Sequence, residues 1–358
     1  MATISLCMIV RDEEDVLARC LESVAAAVDE IIIVDTGSQD MTREIARRYT
    51  EKVYDFVWCD DFSAARNFSF AQGTMDYLFW LDADDVLPPA SQTALMALKE
   101  KLTPDVNAVK MPYHVTFDAQ GAPSFIYERE RLIKNHAGFS WKGAVHEAIA
   151  VAGTVLHAET VIVEHRKQKA GDPDRNLRIY EKQLHAGAVL TPREQYYYAR
   201  ELYYHHRYEE AAAAFQTFLA MPDGWLENRL DAYPLFAFCL EACGKGGLAL
   251  QVLLQSLAEA APRAGICCEI GRHLFQQGKY AAAIFWYESA LNCHAEIESG
   301  AFLNLDHIGY TPYMQLCVCY YRLGNIAAAR KCHMQAAKIK PDAPAVHYNE
   351  AFFATISD

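Results

Sequence analysis

Positive charge is the scarcer sign in this chain of 358 residues, which has 33 lysines and arginines against 46 aspartates and glutamates. The resulting formal charge of −13 disfavours nonspecific binding to nucleic acid or to an anionic membrane surface. The sequence also lacks any uninterrupted apolar run of about 18 residues, the length that a membrane-spanning helix needs. We therefore expect neither nucleic acid nor a membrane among its partners.

Cysteine pairs with the spacing of a metal site are absent as well, although the chain has 11 cysteines. No C-x-x-C pair occurs, so the spacing that is typical of a zinc site is missing. The N-terminal stretch MATISLCMIVRDEED has no basic region ahead of its apolar run and so does not resemble a signal peptide. We expect a cytoplasmic protein whose cysteines are reduced thiols.

Apolar residues are plentiful, at 52% of the chain, and the first half arranges them in a strand–helix alternation. Short apolar runs such as ISLCMIV, EIIIVD and YLFWL alternate with stretches of helical periodicity. Continuous apolar strands separated by helices are typical of a parallel α/β sheet that is covered on both faces. From Ala108 to about His165 the strand-like stretches follow one another, which predicts that a mixed sheet completes this domain.

The second half is helical from about Pro192 and repeats itself. Four stretches share a pattern: small residues where helices would cross closely, and an aromatic or aliphatic face. They are RYEEAAAAFQTFLAMP, GGLALQVLLQSLAEAAP, GKYAAAIFWYESALNC and GNIAAARKCHMQAAKIKP. These stretches resemble the helix pairs of tetratricopeptide (TPR) repeats, unevenly spaced; an ordinary helical bundle is the alternative. The polar stretch RKQKAGDPDRNLR separates the halves. We therefore predict domains at 1–165 and 192–358, with a linker or helix at 166–191.

Acidic residues follow directly on one apolar strand, in LFWLDADD. Because ligands bind beyond the carboxyl ends of parallel strands, the strand YLFWL delivers Asp82 and Asp84 to a binding edge. Two neighbouring carboxylates repel each other unless a cation lies between them and a ligand. Mg²⁺ and Mn²⁺ take one or two protein carboxylates together with diphosphate oxygens, and they fit this pattern. The alternative of a calcium loop requires D-x-D-x-D-G and a later Glu, which do not occur here.

A second apolar strand also ends in a carboxylate, Asp35, which the turn Thr36-Gly37-Ser38 follows. Gly37 allows a close approach of the backbone to a ligand. A carboxylate at such a turn accepts hydrogen bonds from a nucleobase or a ribose. We therefore predict ligand binding at this strand end too.

Four motifs in order carry a family resemblance: SLCMIVRDEEDVLARCLESV, DEIIIVDTGSQDMTREIA, FSAARNFSFAQ and DYLFWLDADDVL. Together they resemble the inverting family 2 glycosyltransferases of the GT-A fold, over roughly the first 165 residues. A family 2 domain followed by TPR-like helices is similar to the sublancin-type S-glycosyltransferases, which glucosylate cysteines of a bacteriocin peptide, and to flagellin glycosyltransferases. The resemblance implies a Rossmann-like GT-A domain with a mixed sheet, followed by an all-α TPR-like domain.

The resemblance also implies cofactors and site residues. The implied donor is a nucleotide sugar, UDP-glucose or UDP-GlcNAc, bound with Mn²⁺ or Mg²⁺. Asp84 is implied as the more direct metal ligand, and Asp82 as its D-x-D partner near the ribose or a metal-bound water. His165 would be a further metal ligand because a neutral imidazole suits Mn²⁺; a structural role at its strand end is the alternative. The remaining nucleotide-sugar contacts that the resemblance implies are Val10, Arg11, Glu13, Asp35, Arg66, Asn67 and Ala83.

An inverting transfer needs a base, because the acceptor loses a proton as it attacks the anomeric carbon. By family resemblance, FSWKGAVHEAI lies on the acceptor side, with Glu147 as the base, Trp141 as an acceptor contact and His146 as an acceptor contact or a metal neighbour. The alternatives are a loop contact for His146, a solvated Glu147 and a core position for Trp141. The stretch is not a zinc-protease motif, which would need histidine in place of Ala150.

These inferences predict a metal-dependent hexosyltransferase that modifies a Cys, Ser or Thr side chain of a peptide or protein. TPR arrays form concave surfaces suited to extended peptides, so the second half is expected to bind the acceptor or to mediate homodimerisation. Two alternatives stay open: a glycosyltransferase acting on a saccharide in cell-envelope polysaccharide synthesis, and a TPR scaffold without catalysis. The intact pair of carboxylates argues against the scaffold. The pattern does not distinguish S-, O- or N-linked products.

Overall fold

The computed structural model divides the chain into two compact units, Met1–Leu190 and Thr191–Asp358. It describes residues 1–118, 120–168, 171–293 and 303–356. The segment 166–191, for which the sequence predicts a linker or helix, contains the helix Arg175–His185, and that helix belongs to the first unit.

The first unit is built on a mixed β-sheet. Its strands are β1 (Ile4–Val10), β2 (Glu30–Asp35), β3 (Val53–Asp55), β4 (Tyr77–Trp80), β5 (Asp85–Val86), β6 (Val106–Phe117), β7 (Pro123–Lys134), β8 (Trp141–Lys142), β9 (Ala148–Ile149), β10 (Thr154–His157) and β11 (Val163–His165). Its α-helices are α1 (Leu17–Val24), α2 (Thr42–Ala46), α3 (Phe62–Ala71), α4 (Pro89–Lys101) and α5 (Arg175–His185). The predicted alternation of strand and helix is confirmed as far as α4, and the mixed sheet follows it.

The strand order in the main sheet is β3-β2-β1-β4-β7-β6-β11-β5. The first four strands of this order are parallel, and β7 is antiparallel to both β4 and β6. Strands β10 and β11 lie parallel to β6, whereas β5 is antiparallel to β11. Strands β8 and β9 form a small separate sheet. The long antiparallel pair β6–β7 thus extends the parallel part of the sheet.

The register around β1 brings three strand ends to one edge of the sheet. Val10 lies opposite Asp35 of β2, and Cys7 lies opposite Trp80 of β4. Strand β1 is buried on both faces: Leu6 and Met8 belong to one apolar core, and Cys7 belongs to another. Both faces are covered because helices pack on each side, which is why the run ISLCMIV is continuously apolar.

The second unit is helical. Its helices are α6 (Pro192–Tyr204), α7 (Tyr208–Ala220), α8 (Leu226–Ala242), α9 (Gly246–Gln255), α10 (Ala264–Gln276), α11 (Tyr280–Leu291), α12 (Tyr310–Arg322), α13 (Ile326–Ile339) and α14 (Pro344–Ala354); a two-residue strand, β12, is Leu303–Asn304. Helices α6 to α13 pack as four consecutive pairs. The four repeat-like stretches of the sequence form the second helix of each pair, so the predicted TPR-like arrangement is confirmed.

Small residues set the close approach of the paired helices, as the sequence predicts. Gly271 of α10 lies against the ring of Tyr287 in α11, and a Cβ at position 271 would come within 2.9 Å of that ring. Ala283 and Ala290 of α11 are also buried. Within the described residues, no helix has the length and apolar character needed to cross a lipid bilayer.

All eleven cysteines fall within the described ranges, and all are free thiols. Burial raises the pKa of many of these thiols, among them Cys7 and Cys268. Cys59, in the segment between β3 and α3, is the one that the structure exposes.

Candidate active site

A cleft of about 1110 Å³ opens where β1, β2 and β4 end. Helix α5 contributes one of its walls, through Arg175 and Lys182 among others. The cleft is lined by ten of the residues that the sequence analysis assigned to the site: Val10, Arg11, Glu13, Arg66, Asp82, Ala83, Asp84, His146, Glu147 and His165. Their convergence follows from the sheet order, since most of these residues lie at or near strand ends that are far apart in the chain; Arg66 comes from helix α3.

Asp84, Asp85 and His165 form a compact group that offers one ligand atom each within 4.8 Å of the others. Asp85 and His165 are partners in the antiparallel pair β5–β11. His165 Nδ1 lies 3.3 Å from Asp84 Oδ1 and 3.6 Å from Asp85 Oδ1. Burial alone lowers the pKa of His165, but the two carboxylates outweigh it and raise the pKa to about 10. The surroundings therefore stabilise a positive charge at this point.

Asp85 differs from its neighbour Asp84 in being fully buried and outside the lining of the cleft. Its Oδ2 accepts hydrogen bonds from Arg131 Nη1 at 2.9 Å and from the backbone N–H of Asp82 at 3.0 Å. Its Oδ1 accepts one from the Tyr113 hydroxyl at 2.8 Å. The sequence analysis assigned no role to Arg131 or Tyr113. The available signal was a charged residue, Arg131, at a core-facing position of the strand-like stretch ERERLIK.

Arg66 joins the two other acidic groups of the cleft. Its Nη2 donates to Asp82 Oδ1 at 2.7 Å, and its Nε donates to Glu147 Oε1 at 2.5 Å. The guanidinium lies over the ring of Trp80, 4.8 Å from its centroid. Burial alone raises the pKa of Asp82, but the positive charges of Arg66 and Arg131 outweigh it and hold the pKa at about 2. Asp82 is therefore ionised and paired with Arg66, and it lies outside the Asp84–Asp85–His165 group.

The loop that carries Glu147 has an unusual backbone. His146 has φ = 51°, a left-handed conformation that is uncommon for residues other than glycine. Its Nε2 lies 3.5 Å from the Asn176 side-chain amide of α5. The hydroxyl of Tyr180, also on α5, donates to the carbonyl of Val145 at 3.5 Å. Helix α5 therefore contacts the loop on both residues that precede Glu147.

Asp35 lies buried at the end of β2, next to Thr36, which lines the cleft. Its Oδ1 accepts from the backbone N–H groups of Gly37 and Ser38, each at 3.0 Å, and from Arg43 Nε at 2.8 Å. Burial alone raises the pKa of Asp35, but the hydrogen bonds from Ser38 and Arg43 outweigh it and lower the pKa. Its Oδ2 is buried with no hydrogen-bond partner, and Asp35 itself is not among the residues that line the cleft.

Asn67 and Trp141 bind each other and do not line the cleft. The Asn67 side chain accepts from the backbone N–H of Trp141 at 2.8 Å and donates to its carbonyl at 3.0 Å, which ties α3 to β8. The Trp141 ring is almost fully buried and packs edge-on against Trp80, with centroids 5.0 Å apart. These contacts put Trp141 in the core position that the sequence analysis gave as the alternative.

The chain is similar to one protein family and to several individual proteins. The model of glycosyl transferase family 2 matches residues 5–153. A TPR repeat-containing protein of Synechococcus elongatus is 31% identical over 348 residues, which span 92% of this chain and 76% of that protein. Since this alignment covers most of the chain, the similarity extends through both units.

Two glycosyltransferases are similar over shorter stretches. The lipopolysaccharide core biosynthesis glycosyltransferase LpsC of Rhizobium meliloti is 28% identical over 171 residues, 45% of this chain and 62% of that protein. The SPbeta prophage-derived glycosyltransferase SunS of Bacillus subtilis is 26% identical over 149 residues, 40% of this chain and 34% of that protein.

Proposed function

This chain belongs to glycosyl transferase family 2, with TPR-type helices following the transferase domain, and on that premise we propose that it is a metal-dependent, inverting hexosyltransferase. The donor is a UDP-hexose, UDP-glucose or UDP-GlcNAc, and the acceptor is a Cys, Ser or Thr side chain of a peptide or protein. One observation supports this most directly. A possible cation site, Asp84 and His165, and an ion-paired carboxylate, Glu147, face the same cleft at the strand ends.

Asp84 and His165 fit a divalent cation such as Mn²⁺ or Mg²⁺. Both side chains line the cleft, and they offer a carboxylate oxygen and an imidazole nitrogen, the ligand types that Mn²⁺ accepts. The neighbouring carboxylates raise the pKa of His165 to about 10, so its imidazole carries a proton that a bound cation would displace. When bound there, the cation neutralises charge on the departing diphosphate.

The buried Asp35 supports a uridine nucleotide. Its Oδ2 has no hydrogen-bond partner, and a buried acceptor left in that state costs about 1–3 kcal/mol. The imide N–H of uracil supplies the missing donor. Val10, Arg11 and Glu13, which line the cleft after β1, complete the nucleotide pocket in this proposal.

Glu147 is the base. The acceptor sulfur or oxygen attacks the anomeric carbon, its proton passes to Glu147, and the diphosphate leaves with the electron pair of the broken glycosidic bond. Attack opposite to the leaving group inverts the anomeric centre. Arg66 bonds both Glu147 and Asp82, so it holds the base at a fixed distance from the acidic turn. A cysteine acceptor ionises more readily than a hydroxyl and depends less on the base.

A saccharide is the second acceptor class. It is favoured by the similarity to LpsC, whose name assigns that protein to lipopolysaccharide core biosynthesis. The TPR-type unit favours the peptide, because such arrays form concave surfaces that bind extended segments.

The proposal is tested by mass spectrometry of products. The full chain is incubated with Mn²⁺, a panel of UDP-sugars, and acceptors of both classes: peptides with a single Cys, Ser or Thr, and core oligosaccharides. We expect one hexosyl or N-acetylhexosaminyl addition to a peptide, and loss of that product when EDTA removes the metal. Addition to the oligosaccharides alone would support the second acceptor class.

The Glu147→Gln variant tests the base. Its transfer rate to a hydroxyl acceptor is expected to fall by about 10²–10⁴-fold, while UDP binding stays unchanged. Glu159→Gln, which alters an exposed carboxylate, is the control. A wild-type transfer rate in Glu147→Gln would remove Glu147 from this role, and no product from any donor with the wild-type chain would overturn the proposed function.

A further inference from the structure

The acidic turn after β4 contains two carboxylates next to His165, and their surroundings are not equivalent. Asp84 is 23% exposed in its side chain and lines the cleft, whereas the side chain of Asp85 is completely buried. From this difference we infer that Asp85 is a positioning residue whose charge is countered permanently by Arg131, so that Asp84 and His165 are the protein ligands of the cation. The inference deepens the proposed function and rests on its metal site.

The oxygens of Asp85 already have donors. Oδ2 accepts from Arg131 and from the backbone N–H of Asp82, and Oδ1 accepts from the Tyr113 hydroxyl. Two hydrogen bonds use the lone pairs that one carboxylate oxygen offers, so Oδ2 has none left for a cation. Oδ1, which lies 3.6 Å from His165 Nδ1, has a single donor, but the side chain is completely buried and outside the lining of the cleft.

Arg131 is as deeply buried as Asp85 and packs against aromatic rings. Its side chain has no exposed surface, and its guanidinium lies between the rings of Trp80 and Tyr113, 3.9 and 4.3 Å from their centroids. Within the described residues, Asp85 is the carboxylate with which it forms an ion pair. If Asp85 turned toward a cation, the guanidinium would remain buried without a counter-charge, which is strongly unfavourable.

The buried pair also shapes the turn. The backbone N–H of Asp82 donates to Asp85 Oδ2, and the backbone N–H of Asp85 donates to the carbonyl of Asp82 at 3.0 Å. With these two hydrogen bonds formed, the Asp82 side chain contacts Arg66 and the Asp84 side chain faces His165. Asp85 and Arg131 thus hold in place the side chains that face the cleft.

One consequence concerns metal affinity. A site with a single carboxylate and an imidazole holds Mn²⁺ weakly unless the donor diphosphate adds its oxygens. We therefore expect the free chain to bind Mn²⁺ weakly and UDP to tighten that binding by tenfold or more. The buried arginine makes cation binding depend on the nucleotide.

The test is a double-mutant cycle on Arg131 and Asp85, in the full chain, with no transfer assay. Free Mn²⁺ is measured by its electron paramagnetic resonance signal, with and without UDP, and thermal unfolding is recorded in parallel. Arg131→Met should lower Tm by roughly 10 °C, since it leaves Asp85 buried without a counter-charge. It should also bind Mn²⁺ about tenfold more tightly without UDP, because the released carboxylate becomes a ligand.

The double variant gives the decisive comparison. Arg131→Met with Asp85→Asn removes both charges, so Tm should recover and the gain in Mn²⁺ affinity should disappear. A purely structural role for the pair predicts recovery of Tm with no change in Mn²⁺ affinity at any corner of the cycle. That outcome would overturn the inference.

Arg129→Met is the matched control. Arg129 lies on the same strand, lines the cleft and also lies over Trp80, 5.1 Å from the ring centroid, whereas Arg131 is the arginine that forms an ion pair with Asp85, at 2.9 Å. Its Mn²⁺ affinity should stay within about threefold of the wild type. If Arg131→Met does not fold, Tyr113→Phe removes one donor to Asp85 and should tighten Mn²⁺ binding severalfold; unchanged affinity there contradicts the inference.

Failure of this inference is separable from failure of the proposed function. If the wild type binds Mn²⁺ in the presence of UDP and Arg131→Met behaves like Arg129→Met, only the role of Asp85 is wrong. If no protein in the series binds Mn²⁺ with or without UDP, the proposed metal site is wrong, and the inference falls with it.

Discussion

Buried charges in the first unit have partners of opposite sign, and Glu30 shows the pattern away from the cleft. Its side chain, at the start of β2, is almost fully buried. It pairs with Lys52 and accepts hydrogen bonds from the Ser5 hydroxyl and from the backbone and hydroxyl of Thr74. Burial alone raises the pKa of Glu30, but these hydrogen bonds outweigh it and lower the pKa to about 2.

Because of this low pKa, the free energy of unfolding decreases as the pH falls. Because the pKa falls from 4.5 to about 2 on folding, the contribution of Glu30 is complete above the unfolded value and is lost as the pH drops from 4.5 toward 2. Glu30→Gln should lower the free energy of unfolding at neutral pH by about 1–3 kcal/mol. Its Tm should also change less than that of the wild type between about pH 5 and 2.

Thermal unfolding across that pH range checks the prediction. Glu51→Gln, which alters an exposed carboxylate close by in sequence, is the control and should follow the wild-type curve. A Glu30→Gln curve parallel to that of the control would show that the buried carboxylate does not contribute to the acid sensitivity.

At the same scale, the strand-end carboxylates were predictable and their partners were not. Asp35 and Asp84 follow from apolar runs that stop at charged residues, a local pattern. The partnership of Asp85 with His165 depends on pairing between β5 and β11, two short strands distant in sequence. The separation of Asp82 from the group around Asp84 depends on Arg66, which arrives from a helix. No local periodicity carries these tertiary contacts.

Among the elements, α5 was the least defined by the sequence, which left 166–191 open as a linker or a helix. The stretch before it is polar and contains glycine and proline, so it reads as a linker. The helix nevertheless buries Leu177, Ile179 and Tyr180 in the first unit. Its Lys182 forms an ion pair with Asp60, another residue of the cleft lining, with 2.5 Å between Nζ and Oδ2. A narrow apolar stripe on an otherwise polar helix was the signal available.

Helix α5 should therefore affect chemistry more than donor binding. Asn176 contacts His146, the left-handed residue that precedes Glu147. Asn176→Ala should lower the rate of transfer by about tenfold, since small displacements of a reacting group are costly. The Kd values for UDP and for Mn²⁺ should remain within about twofold of the wild type.

Gln183→Ala, on the same helix but outside the cleft lining, is the control. Steady-state kinetics and UDP titrations of both variants distinguish a positioning role from a loss of fold. Equal transfer rates in the two variants would mean that the contact with His146 does not position the base.

The helices of the second unit were predictable to different degrees. The second members α7, α11 and α13 are rich in alanine, and α9 begins with the small residues Gly246 and Gly247, so these four helices were recognised from the pattern. Helix α8 contains Pro234, a residue that normally ends or kinks a helix, yet it runs from Leu226 to Ala242. Tertiary packing, which buries Leu230 and Tyr233 beside it, outweighs that local preference.

At the scale of the whole molecule, each unit has its own apolar cores. Among the described residues, two apolar clusters lie before Leu190, and a large and a small cluster lie after Thr191. The first helix of the second unit, α6, has a defined N-terminus, since Thr191 and Glu194 form a capping box around Pro192. We predict that the first unit keeps its fold when the second is removed.

A chain that ends at Leu190 should therefore keep donor binding and lose acceptor use. All residues that line the cleft lie before that point, so the Kd for UDP in the presence of Mn²⁺ should change by less than about threefold. Transfer to a peptide should fall by at least about tenfold if the TPR-type unit binds the acceptor.

UDP titration and product analysis, run on the shortened and the full chain together, check this expectation. Hydrolysis of the UDP-sugar by water serves as a control for an intact cleft. Equal loss of UDP binding and of transfer would assign the second unit a role in stability instead.

The exposure of Cys59 has a practical consequence for all of these measurements. Its neighbours in sequence, Trp58 and Asp60, line the cleft, whereas seven of the remaining thiols are buried and the other three are half-buried. A maleimide fluorophore supplied in limiting amount should attach first at the mouth of the cleft, with every native cysteine left in place. The arrival of nucleotide or acceptor then becomes an optical signal that is followed in real time.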